Sequence, residues 1–282
     1  MSGLHYRALP LMAMFHHNAG HLRDTLLVEL LGYLVFAGAM FAVVALLHRV
    51  GVFRFRIRRG VAKVAQMRRE IVDSTITLAV FQFAQVVFRV GALAFGIAFN
   101  LGHTIPTWQL ALSFPLILVV HDAYFYWTHR LMHLRGLFTF MHWEHHKSRA
   151  PTPWTAYSFA IPEALVQGSF VVFYVAFFPA TTATIVFFAF VEIIHNVAIH
   201  SGMDVFPRWL VTDKRFGWVA GSIYHDLHHA TSNSNYGLYF RFWDRLMKTE
   251  HADFVRIYDY VHSPQNDGYA YRLIGARRPA PP

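Results

Sequence analysis

Long apolar runs separated by short polar stretches dominate the hydropathy pattern of the chain. A helix needs about 20 mostly apolar residues to cross the hydrocarbon core of a bilayer. The runs that approach this length predict membrane spans near 25–47, 75–99, 107–127, 156–178 and 180–199. Pro179 separates the last two runs, which would then form a hairpin, so we expect four or five crossings. The pattern therefore predicts an all-α, multi-pass transmembrane helical bundle.

The polar segments between and after these runs predict the rest of the architecture. Segments 128–155 and 201–262 mix aromatic and charged residues with turn signals, and we expect them to form a helical cap over the span ends. Residues 275–282 predict a disordered tail, and residues 1–274 then form a single membrane domain.

The composition agrees with a membrane protein. Hydrophobic residues make up 55% of the chain and charged residues only 15%, whereas about a quarter of the residues in soluble domains are charged. The chain has no cysteine. Disulfides, thiolate nucleophiles and Cys-ligated metal sites are therefore excluded.

Basic residues are concentrated in segments that would lie on one side of the membrane. Eight Lys and Arg residues lie in segment 48–70 and four in segment 128–150, whereas loop 100–106 has none. The positive-inside rule then places the N-terminus outside, and both basic segments and the C-terminal region in the cytoplasm. The formal net charge of +9 thus faces anionic lipid, and no nucleic-acid partner is expected.

Three histidine clusters follow span ends on this predicted cytoplasmic side. They read HRLMH, HWEHH and HDLHH in the sequence. Residues three and four apart share a helical face, so each cluster presents two or three imidazoles toward one point. Eight imidazoles exceed the ligands of one zinc site and favour two metals. The candidate ligands are His129, His133, His142, His145, His146, His225, His228 and His229.

The last apolar run adds two more candidate ligands, His195 and His200. They are five residues apart, about 140° around a regular helix, so both can bind one centre only if the helix is distorted. His200 is the stronger candidate because the run ends there. Asp122 and Glu192 are carboxylates inside apolar runs. We expect them to accept the second N–H of a metal-bound histidine.

The histidine segments resemble the fatty acid hydroxylase superfamily, which includes sterol desaturases, C-4 methylsterol oxidases and fatty acid hydroxylases. The resemblance covers about residues 120–250. Besides the clustered histidines and Asp122, the matching residues are Tyr126, Trp127, Arg130, Asn235, Tyr236, Trp243 and Asp244. The chain departs from the family at Lys248-Thr249, where the family often has Gly-Thr.

The resemblance implies an oxygen-dependent membrane oxidoreductase. Its members hold a non-haem di-iron centre, cycling between Fe2+ and Fe3+, and use O2 as co-substrate to hydroxylate or desaturate a lipid C–H bond. The substrate would be a sterol or fatty-acyl lipid from the bilayer. An external ferredoxin, cytochrome b5 or reductase would supply electrons, since the sequence has no evident flavin or iron–sulfur motif.

Two other functions are alternatives to this one. A zinc-dependent membrane hydrolase is disfavoured because neither HExxH nor HxxEH occurs and because histidines are too many. A metal transporter would need histidines and carboxylates along a path through several spans. Here the histidine clusters lie on one side of the membrane, and the first two predicted spans contain no histidine.

The distribution of basic residues generates a test of topology. A reporter fused at residue 103 should be external, and one fused after residue 282 should be cytoplasmic, because segment 48–70 is held inside. Enzymatic or protease-protection reporters measure both positions. The opposite pattern would contradict the predicted cytoplasmic location of the histidine clusters.

Overall fold

The chain is almost entirely helical. The computed structural model describes residues 11–50, 56–57, 62–97, 99, 105–213, 215, 217–268 and 270–274. Within these residues there are twelve α-helices, two short 3-10 helices and no β-strand. The α-helices are α1 Leu11–Arg49, α2 Val64–Ala94, α3 Thr107–Met132, α4 Phe138–Met141, α5 Trp143–His146, α6 Ile161–Gly168, α7 Phe170–Phe177, α8 Thr182–Ile199, α9 Arg208–Val211, α10 Ser222–Thr231, α11 Phe242–Leu246 and α12 Phe254–Val261. The predicted all-α fold is confirmed.

Four of these helices are long and apolar enough to cross a membrane. They are residues Arg23–Arg49 of α1, α2, α3 and α8, and a shorter apolar stretch covers Ile161–Phe177. Large apolar side chains point away from the bundle, as Val28 and Val35 do in α1, which are 70% and 62% exposed. Such exposure suits lipid rather than water, and the chain is an integral membrane protein.

Helix α2 begins eleven residues before the predicted start at 75 and ends at Ala94 rather than 99. Its polar first turns are helical because they pack against the cap. Ser148 and Thr152 donate hydrogen bonds to the buried carboxylate of Glu70, at 2.7 and 2.6 Å. The helix therefore extends beyond its apolar stretch.

The apolar run at 156–178 is broken into shorter elements. Pro153–Tyr157 is a 3-10 helix, and α6 and α7 meet at Ser169. Helix α8 then begins at a cap in which the Thr184 amide donates to the Thr181 hydroxyl at 3.1 Å. The run thus lacks one continuous helix of spanning length.

Several sequence predictions fall on residues outside those the structure describes. They concern the tail at 275–282, most of the predicted outer loop at 100–106, and basic residues Arg54, Arg58 and Arg59 of segment 48–70.

Two apolar cores hold the bundle and the cap together. In the bundle, Tyr33 of α1, Leu78 of α2 and Ile193 of α8 pack around Tyr157 of the 3-10 helix. In the cap, α10 and α12 share a core that includes Tyr224, Leu227, Phe254, Ile257 and Tyr258. Helix α10 also carries His225, His228 and His229.

A close approach between α6 and α2 generates a test of the packing. A Cβ added at Gly168 would lie 2.8 Å from the Phe81 Cα and 3.3 Å from the Ala84 Cβ. We expect Gly168→Ala to force the helices apart and to destabilise the fold by about 1–3 kcal/mol. Thermal unfolding in detergent measures the effect.

The matched control for this prediction is Gly91→Ala, also in a membrane helix. A Cβ at Gly91 meets nothing within 4 Å, so this variant should keep or slightly raise the unfolding temperature. Equal unfolding temperatures for the two variants would show that the α2–α6 approach does not constrain the fold.

Candidate metal centre

Nine histidines converge where α3 and α8 end against the cap. They form two groups, in each of which the candidate ligand nitrogens lie within 4.8 Å of one another. The five-histidine group consists of His129, His133, His142, His146 and His228. The four-histidine group consists of His145, His200, His225 and His229. All nine of these side chains lie in the part of the chain that resembles a known family.

Each HxxHH motif contributes to both groups. His142 and His146 belong to the five-histidine group, whereas His145, between them, belongs to the other. In the second motif, His228 belongs to the five-histidine group, whereas His225 and His229 belong to the four-histidine group. The sequence prediction that each cluster points to one centre is therefore corrected. On a helix, residues i and i+4 diverge by about 40°, but i+3 lies about 100° from i+4 and can face a neighbouring site.

Ring nitrogens of facing histidines lie about 3 Å apart. The Nε2 atoms of His129 and His142 are 2.9 Å apart, and those of His146 and His228 are 3.1 Å apart. In the four-histidine group, His200 Nε2 lies 2.9 Å from that of His225. Two bonds of about 2.1 Å to one metal, at tetrahedral or octahedral angles, separate the donors by about 3.0–3.4 Å.

Backbone carbonyls hold the opposite nitrogens of several rings. His129 Nδ1 lies 2.9 Å from the Tyr236 carbonyl and His228 Nδ1 lies 2.7 Å from that of Ser234. His200 Nδ1 and His145 Nδ1 likewise face the carbonyls of Asn196 and Ser158. A carbonyl can only accept, so each Nδ1 carries the proton and donates it. Each Nε2 is then an unprotonated donor that faces its group.

The rings are neutral at ordinary pH. Burial lowers the pKa of His228 and the pKa of His200 to about 4. Burial, followed by the charge of neighbouring rings, lowers the pKa of His225 and of His229 well below the usual histidine value. Because neutral imidazole is the form that binds metal ions, the environment favours the ligand form.

Glu163 of α6 supplies a carboxylate that the sequence analysis missed. Its Oε1 lies 2.7 Å from His142 Nδ1, and both side chains are buried. The pair is a close contact rather than a well-aligned hydrogen bond. Glu163 could have been found by the argument applied to Glu192, because both are carboxylates inside apolar runs. Such a carboxylate orients a ligand ring and raises its basicity.

Asp122 and His195 hold a backbone segment instead of the histidine groups. Asp122 Oδ1 accepts from the amides of Tyr239 and Phe240 at 2.8 and 3.0 Å. His195 Nε2 lies 2.8 Å from the Leu238 carbonyl, and His195 belongs to neither group. The expected histidine contact of Asp122 and the expected ligand role of His195 thus do not fit the geometry. His195 lies inside α8, whereas His200 lies at its end.

Glu192 also differs from its expected place. Its carboxylate accepts from the Tyr157 hydroxyl and, at 3.1 Å, from the Asn196 side chain. It does not bind His195, whose Nε2 faces a carbonyl instead. Glu192 therefore joins α8 to the 3-10 helix at Pro153–Tyr157, and the next residue, Ser158, presents its carbonyl to His145.

A small cavity lies between the two histidine groups. Its lining includes His129 and His142 from one group and His145, His200 and His225 from the other. The remaining lining residues are Phe125, Phe159, Glu163, Asn196 and Leu238. The cavity thus offers an apolar wall opposite two sets of candidate metal ligands.

Comparison with known proteins finds similarity over the part of the chain that carries this site. Residues 114–249, which contain both histidine groups, match the family model described as fatty acid hydroxylase. The chain is similar to a Delta(7)-sterol 5(6)-desaturase of Gibberella zeae, with 31% identity over 54% of this chain and 46% of the relative. It is also 29% identical to methylsterol monooxygenase 1 of Danio rerio, over 58% of this chain and 55% of the relative.

A third similar protein is lathosterol oxidase of Homo sapiens, 29% identical over 49% of this chain and 44% of the relative. The chain thus spans about half the length of the curated relatives it matches. No solved structure matches the chain significantly.

The two groups generate a prediction about metal content. Alanine at His225 removes one of four candidate ligands, so bound metal should fall from two ions per chain toward one. Loss of outer contacts alone costs about 10–100-fold in metal affinity, and loss of a ligand should cost at least that. Alanine at His133 removes one of five candidate ligands and should lower the metal affinity less. Elemental analysis of purified protein measures both.

His195→Ala and His262→Ala are the controls for this measurement. Both histidines lie outside the two groups, so both variants should keep the metal content of the unmodified chain. Full metal content in His225→Ala, or a loss confined to the controls, would contradict the assignment of the groups.

Proposed function

We propose that this chain, a member of the fatty acid hydroxylase superfamily, is an integral membrane oxidoreductase. In the proposed reaction it uses two iron ions and O2 to hydroxylate or desaturate a C–H bond of a sterol or fatty-acyl lipid. Several similar proteins are named for sterols, so a sterol is the first lipid class to test.

The observation that carries the proposal is the arrangement of unprotonated nitrogens. His145 Nε2 and His200 Nε2 lie 3.3 Å apart, and the Nδ1 atoms of both rings face carbonyls. Two nitrogen lone pairs at this distance repel each other unless a cation lies between them.

The donor set fits two iron ions. Imidazole is a suitable ligand for iron as it is for zinc, copper and nickel. Groups of five and four imidazoles exceed the three protein ligands of a typical catalytic zinc site. Iron is preferred because relatives are named as oxidases, desaturases and monooxygenases, and zinc has no redox chemistry.

In this proposal each histidine group holds one iron ion. The nine histidines of the two groups are the ligands, His195 is left out, and Glu163 orients His142. When bound, the iron pair would supply the redox chemistry that activates O2 and oxidises a C–H bond. The protein's own contribution is to fix the rings, to keep them neutral and to position the lipid.

The cavity between the groups is the proposed place for the reacting carbon. Phe125, Phe159 and Leu238 give it apolar walls, which exclude water and suit a lipid. Because Phe125 lies on membrane helix α3, four residues before His129, a lipid could approach this cavity from the bilayer.

The reaction requires an external electron donor. Insertion of one oxygen atom into a C–H bond and reduction of the other to water consume two electrons and two protons. Desaturation, which forms water from both oxygen atoms, also draws two electrons from outside. A ferredoxin, cytochrome b5 or reductase would supply them at the cytoplasmic face. Basic residues after the first and third spans would suit docking of an acidic carrier.

The experiment uses full-length protein in lipid nanodiscs with a reducing system, a sterol or a fatty-acyl lipid, and isotopically labelled O2. We expect about two iron ions per chain, and multiple turnovers only when O2 and reductant are both present. Mass spectrometry of the lipids measures the product. A labelled alcohol indicates hydroxylation, and a new double bond with label in water indicates desaturation.

The outcomes of this experiment separate the proposal from its alternative. His142→Ala should abolish turnover, whereas His262→Ala should retain it. Turnover under argon without reductant would contradict the oxidase assignment. One zinc ion per chain with hydrolysis of an ester or amide would favour the zinc hydrolase.

A further inference from the structure

Helix α11 is inverted relative to an ordinary surface helix. Its carboxylate, Asp244, is completely buried, while Phe242 and Leu246, one helical turn apart, are each 58% exposed. A helix packed on a protein in water normally does the opposite, because apolar side chains gain free energy when they leave water.

Helix α12 of the same cap shows the ordinary arrangement. It buries Phe254, Ile257 and Val261 completely or nearly so. Its exposed face carries Asp259, which accepts a hydrogen bond from Arg208 at 2.7 Å. Helix α12 therefore does not share the inversion of α11.

The exposed face of α11 continues onto a membrane helix. Trp243 stacks on Tyr126 with ring centroids 5.9 Å apart, and it lies 5.7 Å from Trp127 edge to face. Trp127 and Leu131, in the last turns of α3, are themselves 45% and 53% exposed. The apolar surface of a candidate span thus runs without a break onto α11.

Basic side chains border this surface. Lys248 is exposed just beyond the helix. The side chain of Arg245 is 44% exposed, and its guanidinium lies 3.5 Å from the Glu250 carboxylate and donates to the Gly217 carbonyl at 2.6 Å. The Arg130 guanidinium lies 6.0 Å from the Trp127 ring. Tryptophan with arginine and lysine is the mixture found at the level of lipid headgroups, where cations reach phosphates and rings lie below them.

We propose that α11 lies in the membrane interface, with the lipid bilayer as its partner. Phe242 and Leu246 enter the outer acyl region, and Lys248 reaches the headgroup phosphates. This inference requires only that the chain spans a membrane, so it would stand if the proposed reaction were disproved.

Burial of the apolar face of α11 in lipid also stabilises the five-histidine group. The buried carboxylate of Asp244 accepts from the amides of Tyr236 and Gly237, at 3.0 and 2.7 Å. The carbonyl of Tyr236 in turn accepts from His129 Nδ1 at 2.9 Å. Two hydrogen-bonded steps therefore connect the lipid-facing helix with a ring of the metal group.

The absence of cysteine from the sequence allows a direct test by spin labelling. Single variants Phe242→Cys and Leu246→Cys are labelled, and the full chain is reconstituted into vesicles of phosphatidylcholine and phosphatidylglycerol. Collision of the label with O2, which partitions into lipid, is compared with collision with a water-soluble nickel chelate. Val35→Cys, 62% exposed in α1, is the lipid reference, and Asp259→Cys is the aqueous reference.

We expect labels at 242 and 246 to give O2-to-nickel collision ratios close to that of Val35→Cys. Ratios equal to that of Asp259→Cys would place α11 in water and overturn the proposal. Labels shielded from both reagents would also overturn it, since the surface would then be covered by protein. All these residues are exposed, so the substitutions leave the packed interior unchanged. A thermal unfolding temperature equal to that of the unlabelled chain verifies the fold.

Discussion

Repulsion between unprotonated ring nitrogens is the constraint on which the rest of the structure depends. The Nε2 atoms of His145 and His200, both unprotonated and 3.3 Å apart, stay together only if the backbone holds each ring by its other nitrogen. The chain provides that support with carbonyls from the end of α8, from the segment after α5 and from the segment after α10. These carbonyls are available because the backbone there is not in the interior of a regular helix. The short helices and irregular connections of the cap are therefore a condition for the site.

The same demand for satisfied backbone explains the polar residues inside the bundle. Segment 236–240 is irregular yet buried near the ends of α3 and α8. Its amides and carbonyls bond to Asp122, His195 and Asp244, and His121 lies 3.0 Å from the Tyr239 hydroxyl. In an apolar environment, a backbone N–H or C=O group without a hydrogen bond raises the free energy of the folded chain. Asp122 and His195 thus stabilise the backbone around Leu238, which lines the cavity. They contribute to the candidate metal site only through this segment.

The sequence predicted much of this arrangement because helical spacing is local. The i and i+4 spacing of His129 and His133, placed at the end of an apolar run, required no knowledge of distant contacts. The division of each HxxHH motif could not be predicted, since it depends on how short helices α5 and α10 are oriented against each other. The carbonyl partners of the rings could not be predicted either, because every residue has a backbone carbonyl and no residue type in the sequence marks the ones that are used. Glu163 could be recognised as a carboxylate in an apolar run, but its contact with His142 could not be predicted because the two residues lie on different elements.

The reciprocal division of the two HxxHH motifs has a consequence for assembly. Under the proposed ligand set, α5 and α10 each hold both ions, because each contributes residues to both groups. Whichever ion binds first orders two helices that carry ligands for the second ion. Binding of the second ion then costs less conformational entropy of the chain. The two binding events are then linked with positive cooperativity. Chains carrying a single ion would be scarce during maturation, and the population would consist mainly of empty and fully loaded protein.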